Sequence, residues 1–179
     1  LENEAGFAAS GTGIVLVNKD IFIGTGGDSS RVLWWKHDQK IWMTAGSFLR
    51  QGSGCGVFSM CYFDSAKLML VGGSYMDSTN SEGNSALFDY SLYDSETSAK
   101  WSYNVQYRLN RKPSGYRSCV AYASAANLLV ACGRTGIDYS ENGGNDWTPL
   151  SDEGYYACAL ADATGWVIGK RGKLAKLSW

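Results

Sequence analysis

The sequence predicts an all-β protein built from repeated four-stranded antiparallel units, and three observations carry that expectation. The chain has 22 glycines and two prolines among 179 residues, and its β-branched and aromatic residues fall in runs of roughly four to seven between turn signals, with no helix-length periodic stretch. Four segments open alike: GFAAS at Gly6, GVFSM at Gly56, GYRSC at Gly115 and GYYAC at Gly154. Each reads glycine, an apolar or aromatic residue, a variable residue, then Ala or Ser. An apolar strand ending in glycine follows each opening (DIFIG to Gly24, LMLVG to Gly72, LLVACG to Gly133, GWVIG to Gly169), at offsets of 18, 16, 18 and 15 residues. Self-similarity of this kind is the mark of a repeat architecture.

The elements follow in order. In the first unit GFAAS begins strand one, DIFIG is strand two, RVLWW is strand three and Trp42 opens strand four. The second unit has GVFSM, LMLVG, SALFDYS and a fourth strand opened by Trp101. The third has GYRSC, LLVACG, TGIDYS and a fourth strand opened by Trp147. The fourth runs through GYYAC, GWVIG and GKLAKLS to Trp179 without a fourth strand.

The units span residues 6–46, 56–105, 115–150 and 154–179, meanders of about 40 to 60 residues, the size of a β-propeller blade. The expected fold is therefore a partial β-propeller of four-stranded blades, about three and a half of them. A meander this small cannot bury both faces alone, so neighbouring units must stack and share a core. Ala9, Ser59, Ser118 and Ala157 are small enough for the crowded innermost strand.

Composition excludes several functions. Lys and Arg number 16 against 17 Asp and Glu, a net charge of −1, so no field gathers phosphate backbones or anionic lipid, and nucleic acid is not expected as a partner. Apolar stretches such as Gly13–Val17 and Leu128–Cys132 fall far short of the roughly 20 residues that cross a bilayer. LENEAGFAAS shows no basic segment followed by an apolar one, so no signal peptide is read there. Cys55, Cys61, Cys119, Cys132 and Cys158 form no CxxC pair and His37 is the single histidine, so neither a zinc site nor another cofactor is expected. The thiols read as small buried apolar groups.

The stretch YSENGGNDWTPL, Tyr139–Leu150, joins strands three and four of the third unit. It reads as a turn: the Asn142 amide can bond backbone N–H groups, Gly143 and Gly144 permit positive φ, Ser140 and Asp146 tie down the flanks, and Trp147 drops between units as an apolar plug. It resembles the Asp-box, or BNR repeat, of sialidase-like propellers, Ser-x-Asp-x-Gly-x-Thr-Trp. Ser140, Gly144 and Trp147 match, while Asn142 and Asp146 stand for the aspartate and threonine. The resemblance implies a structural box at the blade periphery, away from any active site. KHDQKIW before Trp42 and YDSETSAKW before Trp101 are eroded copies.

More widely, AGFAASGTGI, FIGTGG with Arg31 and Val32, GVFSMCYFD, VGGSY, GYRSCVAY and GWVIGKRGKLAK look like the C-terminal half of bacterial BNR-type propellers. Those are often labelled oxidoreductase or glycosyl hydrolase and are distantly similar to photosystem II assembly propellers. The resemblance implies a seven-bladed ring, completed by further blades of a longer chain or by a second copy, and a periplasmic or extracellular setting.

A fold of this kind does not fix function, so chemistry must be sought in a site. Arg117 replaces Ala8, Phe58 and Tyr156 at the same repeat position; its guanidinium could face a ligand carboxylate or phosphate, or pair with an acid of a neighbouring unit. With Tyr116, Tyr156 and Arg31 it makes the candidate channel mouth. Sialidase chemistry would draw on Arg31, Arg117 and Arg134 as cations and on Tyr116 and Tyr156 as phenols, yet no spacing marks a Tyr–Glu nucleophile pair or a carboxylate pair. GTGG at Gly24–Gly27 lacks a full GxGxxG and a following helix and reads as a turn. Tyr75–Ser85 offers Asp77, Asn80, Glu82 and Asn84 without EF-hand spacing, and reads as a polar insertion. His37 reads as a solvated turn residue. The expected function is a non-catalytic binding or scaffolding module for a protein, peptide or glycan, the alternative being a sialidase-like glycoside hydrolase.

Overall fold

The computed structural model describes residues 1–7, 11–92 and 110–179. In chain order the strands are β1 (Glu4–Ala5), β2 (Ile14–Val17), β3 (Asp20–Gly24), β4 (Gly26–Gly27), β5 (Arg31–Lys36), β6 (Ile41–Gly46), β7 (Gly52–Asp64), β8 (Lys67–Ser74) and β9 (Ser85–Asp89). They continue as β10 (Cys119–Ala123), β11 (Leu128–Gly133), β12 (Gly136–Ser140), β13 (Thr148–Ser151), β14 (Ala157–Leu160), β15 (Thr164–Ile168) and β16 (Leu174–Ser178). Among the described residues the only helical turns are three short 3₁₀ segments. The protein is all-β.

The strands form four antiparallel sheets. Sheet I has the order β2-β3-β5-β6, sheet II β1-β4-β7-β8-β9, sheet III β10-β11-β12-β13 and sheet IV β14-β15-β16. The first long strands of successive sheets adjoin: β2 meets β7, β7 meets β10 and β10 meets β14. Three apolar cores result, one per junction. Phe22, Val32 and Trp34 of sheet I pack with Leu68, Leu70 and Phe88 of sheet II. Met69, Val71 and Leu87 of sheet II pack with Val120, Leu129 and Trp147 of sheet III. Val130, Cys132 and Ile137 of sheet III pack with Tyr155 and Val167 at sheet IV.

This sharing explains the sequence. Side chains alternate across a strand, so Leu68 and Leu70 face one neighbour while Met69 and Val71 face the other. A strand covered on both faces reads as an unbroken apolar run, as LMLV and LLVAC do. Among the described residues the end sheets carry exposed apolar side chains: Ile14, Leu16 and Trp42 of sheet I, and Trp166, Ile168 and Leu174 of sheet IV.

The repeated glycines have a steric cause. The backbone N–H of Arg117 donates to Gly72 O at 3.1 Å and that of Tyr155 to Gly133 O at 2.9 Å, binding the opening of one sheet to the second strand of the sheet before. A Cβ on Gly72 would collide with the Gly56 carbonyl, and one on Gly133 with the Tyr116 carbonyl. Small hydroxyl residues tie the same strands together: Ser59 Oγ accepts from Val120 N–H at 2.9 Å, and Ser118 Oγ donates to Tyr156 O at 2.7 Å.

The first unit departs from expectation. Its opening strand is Ile14–Val17, with Ile14 opposite Ile23 and Val17 opposite Asp20; of GFAAS, Gly6 and Phe7 are described and lie outside any strand. The two-residue turn at Asn18–Lys19, with Asn18 at φ 56°, sets this register, and asparagine tolerates that left-handed conformation. The preceding Glu4–Ala5 pairs with Gly26–Gly27, inside the GTGG turn, and both lie at the edge of sheet II. Ala8, Ala9 and the strand opened by Trp101 lie outside the described residues. Trp42 is 55% exposed whereas Trp147 is fully buried.

Candidate binding face

The antiparallel order places three kinds of segment at one end of the sheets: the openings of the first strands, the links between second and third strands, and the links from one sheet to the next. Arg31 at the start of β5 is register partner to Gly46 at the end of β6, and the Tyr75–Asn84 link follows β8. Phe58 anchors this end. Its ring stacks on Phe7 at 3.8 Å, meets Tyr116 edge-on at 4.8 Å and 90°, and has Tyr75 at 6.3 Å. Such geometries suit the ring quadrupole. Phe58 and Tyr116 are buried, while Tyr75, Met76, Phe48 and Tyr156 are exposed. Burial pushes the Tyr116 phenol well above its usual range, so it is neutral at any physiological pH. Phe48, an exposed aromatic, holds φ at 60°.

The cations there are mostly engaged. Arg117 has no exposed surface. Its Nε donates to Asp138 Oδ2 at 2.6 Å, Nη2 reaches the same oxygen, and Nη1 donates to Tyr116 O at 2.9 Å and Thr135 Oγ1 at 3.1 Å. Asp138 also accepts from Ser114 Oγ at 2.7 Å. Arg117 is therefore held in a buried ion pair, and its acid lies on β12 of its own sheet, not on a neighbouring unit.

Arg31 grips Glu4 through two nitrogens, Nε to Oε1 at 2.8 Å and Nη2 to Oε2 at 2.6 Å, and Thr25 Oγ1 adds a 2.6 Å bond. The Arg31 hydrogen bond, more than the opposing effect of burial, lowers the Glu4 carboxyl to about 2. Arg50 pairs with Asp77 at 3.0 Å and Lys173 with Glu153 at 3.0 Å. Arg134 differs: it is exposed, and among the described residues its one hydrogen bond is from Nη1 to the neutral carbonyl of Tyr75 at 2.9 Å.

Comparison with known protein families and with curated proteins finds no match to this chain. The functional reading rests on geometry.

The remaining candidates are occupied in holding loops. Asp77 accepts from Arg50 and Asn80, and Asn84, fully buried, donates to the Pro113 and Gly115 carbonyls at 2.8 and 2.7 Å. His37 is exposed in the β5–β6 turn, its backbone N–H donating to Asp20.

The Tyr139–Leu150 turn is knit internally. Asn142 Oδ1 accepts from Asp146 N–H and Ser140 Oγ, Asn142 Nδ2 donates to Asp146, and Gly144 N–H donates to Ser140 Oγ, all at 2.9–3.0 Å. Gly143 and Gly144 sit at φ 70° and 86°. Trp147 is buried between sheets II and III, its indole N–H without a hydrogen-bond partner among the described residues.

Sequence reasoning singled out Arg117, Tyr116, Tyr156 and Arg31 but missed Glu4, Asp138, Phe58, Tyr75 and Phe48. Asp138 had one readable signal, an acid in an otherwise buried third strand. Tyr75 and Phe48 sit in loops where the repeat pattern lapses.

Proposed function

We propose that the four sheets are consecutive blades of a β-propeller and that the protein is a non-catalytic binding or scaffolding module. Its ligand is a protein, peptide or glycan bearing an anionic group. The observation that carries this reading is the exposed Arg134 guanidinium, held among the described residues by the neutral backbone carbonyl of Tyr75, at an end where Arg117 and Arg31 are already matched by carboxylates. An arginine cluster that grips a substrate carboxylate must have its guanidinium forks open. Those of Arg117 and Arg31 are filled, which favours binding over sialidase-like hydrolysis.

The propeller reading is supported by the adjoining first strands and by cores at every junction. The apolar outer faces of sheets I and IV call for further blades, supplied by more chain or by a second copy, since exposed faces of this kind invite association. A bacterial envelope setting rests on the family resemblance alone.

Glycan and acidic-peptide arrays probed with the wild type and with Arg134→Ala test the reading. A ligand whose affinity falls about tenfold in the variant, roughly 1.4 kcal/mol, with an unchanged melting temperature, is the expected result. Turnover of fluorogenic glycosides by the wild type, or array binding indifferent to Arg134, would overturn it.

A further inference from the structure

Three of the five cysteines meet at one place, the junction of sheets III and IV. Cys119 opens β10, Cys132 is its register partner on β11, and Cys158 lies on β14. The Cys158 thiol points at Cys119 Sγ at 3.6 Å, and the Cys158 backbone N–H donates to the same sulfur at 3.5 Å. Thr12 Oγ1 stands 3.9 Å from the same sulfur. Cys119 Sγ also reaches the Cys158 carbonyl at 3.7 Å, and the Cys158 thiol has a second acceptor in Val130 O at 3.7 Å. Hydrogen bonds from Cys132 and Cys158 lower the Cys119 thiol against the opposing effect of burial, while Cys132 and Cys158 are pushed up. Inert apolar packing does not require this convergence. A thiolate beside a protonated thiol is the arrangement that disulfide chemistry uses.

We propose that Cys119 and Cys158 are an oxidisable pair whose disulfide staples sheet III to sheet IV, on the ground that their sulfurs face each other across the junction within 3.6 Å. A disulfide bond of about 2.05 Å requires the two sulfurs to close the remaining gap from 3.6 Å. With a peroxide as oxidant the step balances. The Cys119 thiolate attacks one peroxide oxygen, the O–O bond breaks, and the departing hydroxide takes up the proton that Cys119 gave up, leaving as water. The Cys158 sulfur then attacks the resulting sulfenic sulfur, the S–O bond breaks, and the second water leaves with the Cys158 proton. Cys158 is half-buried where Cys119 is buried, so a small oxidant approaches from the Cys158 side. Reduction by a dithiol reverses the staple.

The test uses the full chain treated with a small excess of hydrogen peroxide, then alkylated, digested with trypsin and mass-analysed without reduction. Ser118–Arg134 carries Cys119 and Cys132, and Thr135–Lys170 carries Cys158, so the staple appears as these two peptides joined. We expect the joined species in the wild type, two of the five thiols lost to titration, and both restored by dithiothreitol. Cys132→Ser should keep the joined species, whereas Cys119→Ser and Cys158→Ser should lack it. The proposal is overturned if all five thiols survive in the wild type, or if Ser118–Arg134 alone loses about 2 Da by internal closure. It is equally overturned if Cys119 goes to sulfinic acid with no joined peptide, or if the joined species survives in Cys119→Ser. Fragmentation of the joined wild-type species, which tells whether Cys119 or Cys132 carries the bond, decides the matter even where a variant fails to fold, and a bond at Cys132 would overturn the proposal.

Discussion

Replacing Arg117 with methionine separates a structural arginine from a ligand-binding one. The guanidinium is 1% exposed and the Asp138 carboxylate 0%. Methionine fills much of the volume but removes the 2.6 Å bond from Nε and the bonds from Nη1 to Tyr116 O and Thr135 Oγ1. Asp138 would keep only its Ser114 donors and become a buried charge without a counter-ion. Breaking a buried pair in this way costs about 3–5 kcal/mol, which for a chain of this length lowers the melting temperature by about 6–20 °C. The double variant Arg117→Met, Asp138→Leu removes both charges and should be less destabilised than the sum of the two single changes, because the single changes share one penalty. Calorimetric unfolding of the four proteins gives the cycle. A single variant within about 1 kcal/mol of the wild type, or strict additivity in the double, would refute the buried pair and return Arg117 to the ligand face.

Other consequences follow from the same packing. The Glu4 carboxyl lies at about 2 against an ordinary 4.5, so its stabilising effect is complete above about pH 4.5 and is lost as pH falls through 2. Because Arg31 is partly exposed, screening limits the effect to about 1–2 kcal/mol, and Glu4→Gln should flatten that part of the stability curve in acid denaturation. Gly133→Ala drives a methyl into the Tyr116 carbonyl and should cost about 1–3 kcal/mol or more, measured by urea unfolding; a neutral outcome would mean that the opening of sheet III can move away from β11. Trp147→Ala opens a hole at the junction of sheets II and III and should cost about 3–5 kcal/mol by the same assay.

The sheets were legible because their physics repeats. LMLV and LLVAC are apolar on both faces since each strand lies between two neighbours, and the glycines at 72 and 133 recur because a carbonyl of the same sheet's opening presses on each. The first unit was misread for a related reason. GFAAS shares the letters of the other openings, but the turn at Asn18 fixes IVLV against DIFIG, and turn geometry does not show in a search for similar letters. Arg117 stood out as the charged member of its repeat position. Its partner sits 21 residues later on another strand, a separation set by register and carrying no local pattern. Glu4 met Arg31 from 27 residues away in the same fashion.

The ligand face was less legible because one repeat position does different work in different sheets. Phe58, Arg117 and Tyr156 occupy that position, yet Phe58 is 3% exposed, Arg117 0% and Tyr156 49%. Phe58 is covered by Tyr116 of the next sheet, whereas Tyr156 opens sheet IV, whose outer face has no described neighbour. The exposure of Tyr156 is that of an uncovered sheet face and does not by itself mark a ligand; any sheet that packs on sheet IV would bury it. Arg134 follows the second strand of sheet III and bonds to Tyr75, which follows the second strand of sheet II, so their exposure does not depend on what covers sheet IV. A ligand held at this end should therefore be lost with Arg134→Ala while Tyr156→Ala leaves it in place. Binding measurements on the two variants check this, and the reverse pattern would move the site to the open face of sheet IV.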